Sequence, residues 1–148
     1  MNTSTVERRS QSHQLIDELI SLRTEMLTLY GVLASNRPFE ANSEILNMVQ
    51  EFCQSLVDYT ADGHFSIYRF IAENKERRKS VLDVAQKVYP KIAETTDIIL
   101  AFNDKYDSDE HCQESLNALE KDLSYLGEVL ADRIEQEDQI VGALRKGR

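Results

Sequence analysis

The sequence predicts an all-α protein, an antiparallel bundle of four long helices with a short helix after Gly63. Three observations carry this. Apolar residues recur at steps of four and three through most of the chain, no stretch alternates long enough to form a strand, and only 2 prolines and 5 glycines interrupt 148 residues. The length suits one domain over residues 1–148 with a single core, and residues 1–10, which are polar, read as frayed.

The first helix is expected from Ser12, a plausible N-cap, with a seam of Leu15, Leu19, Leu22, Met26, Leu29 and Leu33. Ile16, Ile20, Leu27 and Tyr30 widen the seam into a face that meets more than one neighbour. Asn36 and Pro38 mark the stop and turn. A second helix starts near Asn42 or Ser43 with the stripe Ile45, Val49, Phe52, Leu56 and Tyr59, and Gly63 ends it by its tolerance of the left-handed conformation. Opposite that stripe lies Asp58, with Glu51, Gln54, Ser55 and Asp62 beside it on the outward face.

His64 to Ala72 holds Phe65, Ile67, Tyr68, Phe70 and Ile71 and reads as a short helix packed across the bundle end, some of its aromatic surface near Asp58. Beyond a charged connection at Glu73–Lys79, a helical period runs through Val81, Ala85, Val88, Ile92, Thr96 and Ile99. Pro90 lies inside it, where the missing amide hydrogen and the crowded carbonyl four residues back predict a kink or a fresh start. Asn103–Glu110 reads as an acidic turn. The last helix carries Leu116, Leu119, Leu123, Leu126, Leu130, Ile134, Val141 and Leu144, and its internal Gly127 predicts a closely packed neighbour. The run Glu135, Glu137 and Asp138 reads as a solvated face.

The net charge is −9, and residues 75–79 and 145–148 each carry +3, so the remainder carries −15. An acidic body disfavours direct nucleic-acid binding and suits a basic protein surface or plain solubility. No signal peptide and no membrane-length apolar run is visible. Cys53 and Cys112 are too few for a disulfide framework, which suits a reducing cytoplasm. Catalytic and cofactor motifs are missing: there is no glycine-rich phosphate loop, no nucleophile elbow, no CxxC pair, and none of His13, His64 and His111 has the Glu-x-x-His spacing of a di-iron bundle. Asp104, Asp107, Asp109 and Glu110 lack the glycine and ligand spacing of a calcium loop. No catalytic residue, metal or cofactor is therefore expected.

An outward aspartate on a helix is ordinarily solvated. Asp58 stands out because it precedes a glycine turn and an aromatic cluster, and a carboxylate framed by apolar surface suits an arginine-seeking interface. The words FCQSLVDY at 52–59 and GHFSIY at 63–68 resemble the Rsd/AlgQ family, regulators of the housekeeping sigma factor of bacterial RNA polymerase. Weaker agreement extends to Leu15–Asp17, Leu29–Tyr30, Tyr89–Pro90 and the pattern from Gly127 to Asp138, although Glu18 and Leu19 stand where the family pattern has a tryptophan.

The resemblance implies an all-α bundle and a cytoplasmic, non-enzymatic anti-sigma factor. Its partner would be the primary sigma factor, bound chiefly at the C-terminal region that reads the −35 element. Binding there would block core polymerase and promoter association and favour alternative sigma factors as growth slows. Asp58, matching the aspartate of the LVDY word, would accept from a sigma arginine or lysine. Glu51, Ser55 and Asp62 join it as neighbours on its face, and His64 and Ser66 as members of the matching block. The expected free protein is a monomer or weak dimer that binds neither nucleic acid nor membrane. A helical adaptor or dimerising protein with a different partner is the alternative.

Overall fold

A computed structural model describes residues 3–63, 67–72 and 78–146. Among the described residues five helices follow one another: α1 (Thr3–Ala34), α2 (Ser43–Gly63), α3 (Arg69–Ala72), α4 (Lys79–Tyr106) and α5 (Asp109–Arg145). The all-α expectation holds, with four long helices and a short one after Gly63. α4 packs most extensively on α5 and α1 on α2, and both α2 and α1 reach across to α5. Among the described residues no helix is long and apolar enough to cross a membrane.

Side chains from every helix meet in one apolar cluster. Met26 and Leu33 of α1, Val49, Phe52 and Leu56 of α2, Ile99 and Tyr106 of α4, and Cys112 and Leu119 of α5 are all fully buried. Phe52 is central: its ring meets Tyr30 edge-on at 5.8 Å and Phe102 at 6.0 Å, geometries that favour aromatic pairs. Both cysteines are buried, and burial pushes the Cys53 thiol up to about 12 and that of Cys112 to about 11. They act as small apolar groups.

Several boundaries differ from the sequence reading. α1 starts at Thr3, so residues 3–10 are helical and Ser12 is a buried interior residue rather than a cap. Helix propensity carries polar residues into a helix once a long seam downstream anchors it. α2 starts as expected: the Asn42 side chain accepts from the Ile45 amide at 2.9 Å, meeting one of the unbonded amides of the first turn. Gly63 is itself still helical and does not take the left-handed conformation, since no described glycine has positive φ.

α4 runs through Pro90 without a fresh start. The proline sits on the exposed side, as do Gln86 and Lys87 one turn back, while Val88 and Ile92 on either side of it are buried. Solvent can satisfy the carbonyl that proline leaves unbonded, and core packing holds the helix together across it. The acidic turn is much shorter than Asn103–Glu110. α4 continues to Tyr106, Ser108 caps α5 by accepting from the His111 amide at 3.1 Å, and Asp109 and Glu110 lie in the first turn, where the helix dipole favours them.

Gly127 has the close neighbour that its position in a helix called for. The Tyr30 hydroxyl donates to the Leu123 carbonyl at 2.8 Å, and a Cβ at position 127 would overlap that hydroxyl and stand 3.0 Å from the ring carbon bearing it. Gly127→Ala sets a helix-propensity gain of about 1 kcal/mol against overpacking of about 1–3 kcal/mol. Net destabilisation is expected in urea unfolding, and the loss should shrink in a Tyr30→Phe background. A more stable single variant would contradict the close-packing account.

Candidate functional site

Two polar features stand out, one inside the bundle and one on its surface. The inner one begins with the heptad seam of α5, which advances by alternating steps of four and three through Cys112, Leu116, Leu119, Leu123, Leu126, Leu130, Arg133, Glu137, Ile140 and Leu144. The register places Arg133 and Glu137 in the core, each 1% exposed. This corrects the reading of Glu135, Glu137 and Asp138 as one solvated face: Glu135 and Asp138 are exposed, but Glu137 points inward.

Charges out of water persist only when hydrogen bonds and opposite charges replace hydration. Glu137 Oε1 accepts from the Tyr59 hydroxyl at 2.5 Å, and its Oε2 accepts from the Tyr68 hydroxyl at 3.1 Å. Arg133 Nε lies 3.3 Å from Oε2, an ion pair without hydrogen-bond geometry, and Arg23 Nη1 is 3.5 Å from Oε1. Arg23 also donates to Asp138 at 2.9 Å; burial opposes its charge, but this bond and the nearby carboxylates hold its pKa up. Arg133 Nη1 donates to Thr95 Oγ1 at 3.0 Å and Thr96 Oγ1 at 2.8 Å and reaches the Ile92 carbonyl at 3.4 Å. Its guanidinium also lies 5.5 Å from the centre of the Tyr59 ring. α1, α2, α4, α5 and the residue entering α3 are thus joined through one carboxylate and one guanidinium. Burial first, then the Glu137 charge, raises the Tyr59 and Tyr68 hydroxyls well above the ordinary phenol range, so both remain donors.

The second feature is the outer ridge of α2. Asn47, Glu51, Gln54 and Asp58 are exposed and share one side of the helix. Gln54 Nε2 donates to Asp58 Oδ1 at 3.0 Å, and Asn47 Nδ2 donates to Glu51 Oε1 at 3.1 Å, both one turn apart. Ser55 departs from the expected face. It is buried and borders the stripe of Leu56 and Tyr59, because its direction lies about 60° from Asp58 toward the packed side. Asp62, two turns after Ser55, is half-buried on that same flank. His64, Phe65 and Ser66 lie outside the described residues. Of the aromatic groups in the following segment, Tyr68 and Phe70 are buried, and Tyr68 turns its hydroxyl to Glu137. Their bulk drives them inward.

The inner network was missed because charge was taken as a mark of exposure. The unbroken step pattern through 133 and 137 was the signal that could have found it.

The bundle therefore defines an all-α protein with its main ionic machinery sealed inside and an acidic ridge on one outer helix. Whole-chain comparison makes the assignment specific: residues 1–145 match the family "Regulator of RNA polymerase sigma(70) subunit, Rsd/AlgQ", and the chain belongs to that family. Curated relatives named "Regulator of sigma D" include one from Yersinia enterocolitica, 34% identical over 141 residues, covering 93% of this chain and 84% of the relative. One from Yersinia pseudotuberculosis is 33% identical over 93% of this chain and 83% of its own length. Another, from Enterobacter sp. strain 638, is 34% identical with coverage of 93% and 84%. No solved structure matches the chain at a significant level.

Removing one partner of a buried ion pair leaves an uncompensated charge, at a cost of about 3–5 kcal/mol. Glu137→Leu should lower stability by that order. Arg133→Met with Glu137→Leu should cost far less than the sum of the two single changes, as urea unfolding of all four forms would reveal. Additive losses would mean that the two side chains do not act as a pair.

Proposed function

We propose that this protein is an anti-sigma factor that binds the primary sigma factor of RNA polymerase and has no enzymatic activity of its own. The carrying observation is the exposed Asp58 in its LVDY word, within a chain that matches a family of sigma(70) regulators from residue 1 to residue 145. The binding surface is the outer ridge of α2, with Asp58 and Glu51 as acceptors; half-buried Asp62 contributes from its flank, and His64 and Ser66 from the segment that follows, while Ser55, buried against the stripe, is left out of it. The partner surface is the C-terminal region of sigma that reads the −35 element. A region that grips DNA phosphates is basic, and a net charge of −9 complements it. Occupying that surface withholds sigma from core polymerase and from the promoter, which favours alternative sigma factors as growth slows. Such a regulator works in the cytoplasm, needs no cofactor and contacts neither DNA nor membrane directly.

Magnitudes separate two versions of the Asp58 contact. An exposed ion pair contributes roughly 0.2–1 kcal/mol, whereas truncating one member of a desolvated pair costs about 2–5 kcal/mol. Asp58→Ala is expected to weaken sigma binding by the larger amount while leaving the thermal unfolding midpoint near wild type, because the carboxylate is exposed in the free protein. Unchanged affinity in calorimetric titration would remove Asp58 from the interface.

A further inference from the structure

The sigma-binding reading leaves open how a solvent-exposed aspartate on a mobile side chain becomes an effective acceptor. We propose that Gln54 is a positioning residue for Asp58, and that the ridge presents two pre-oriented carboxylates to a partner carrying two cationic side chains about two helical turns apart. This inference rests on the proposed function and deepens it.

The geometry is specific. An ionised carboxylate only accepts hydrogen bonds, so the Gln54 atom facing it, 3.0 Å from Oδ1, is the amide nitrogen. That bond restricts the aspartate rotamer, and among the described residues no donor is recorded at Oδ2. A repeat of the arrangement lies two turns earlier, where Asn47 Nδ2 donates to Glu51 Oε1 at 3.1 Å. Residues 51 and 58 differ by seven, which sets them about 20° apart around the axis and about 10 Å apart along it. Each amide thus occupies one oxygen and leaves its carboxylate oriented for an incoming cation. A carboxylate already held in place loses less side-chain freedom on binding, so more of the contact energy appears as affinity. The amides add no charge. In this arrangement they act on binding by holding the carboxylates.

Gln54→Leu removes the donor while keeping similar bulk on an exposed helical site. The experiment is a titration of the full chain as wild type, Gln54→Leu, Asp58→Asn and the double variant against the housekeeping sigma factor of the same organism, with unfolding midpoints measured in parallel. Gln54→Leu is expected to weaken binding by about 3- to 10-fold, the scale of one hydrogen bond, without moving the midpoint. In the Asp58→Asn background the same change should cause no further loss, which a general structural role would not produce. Wild-type affinity for Gln54→Leu beside a weakened Asp58→Asn would overturn the positioning role and leave the sigma reading standing. A full loss from Gln54→Leu that persists in the Asp58→Asn background would also overturn it, because Gln54 would then make its own contact. Binding unaffected by Asp58→Asn would overturn the Asp58 site and the inference together.

Discussion

The buried pair of Arg133 and Glu137 is the constraint around which the bundle is arranged. Both lie on the seam of α5, so the helix cannot pack unless its neighbours supply donors and acceptors at those two levels. Tyr59 from α2, Tyr68 before α3, Thr95 and Thr96 from α4 and Arg23 from α1 do so. Apolar packing alone would tolerate helices sliding by a turn. A carboxylate that needs two hydroxyls and a guanidinium accepts far fewer arrangements, which is the best-attested use of buried charge. Tyr59 links this interior to α2: its ring lies in the core, its hydroxyl reaches Glu137, and its preceding residue, Asp58, faces solvent.

That adjacency explains how a helix can be fixed on one side and chemically available on the other. Val49, Phe52, Leu56 and Tyr59 hold α2 against the bundle, and Glu51, Gln54 and Asp58 occupy the outward side of the same turns. Rigid backbone beneath an exposed ridge is how a surface contact is made specific without a pocket. The same logic separates the chain's charges into two groups. Glu137 is neutralised internally and organises the fold, while the carboxylates of the α2 ridge remain part of the external field that a basic partner would meet.

Much of this was legible in the sequence. The seams of the long helices, the start of α2 near Asn42 and the close neighbour at Gly127 follow from periodicity and residue chemistry, and the words at 52–68 pointed to the family. Two origins account for the differences, and the first is residue polarity allowed to outweigh register. Glu137 was assigned to solvent although the steps through Leu126, Leu130 and Arg133 lead to it, and Ile134 was chosen for the stripe because it is apolar, although it is only partly buried. Ser55 was placed outward for being polar, although its direction borders Tyr59. The fresh start allowed at Pro90 and the late start of the first helix at Ser12 came from weighing local propensity without the packing that overrides it.

The central claim is that an acidic ridge on a rigid helix recognises a basic region of sigma. Calorimetric titration of the protein against the isolated C-terminal domain of the same organism's primary sigma factor, at low and high salt, tests it most directly. The account predicts one-to-one binding that weakens as salt screens the opposite charges. An absence of binding to that domain, or saturable binding indifferent to salt, would contradict it.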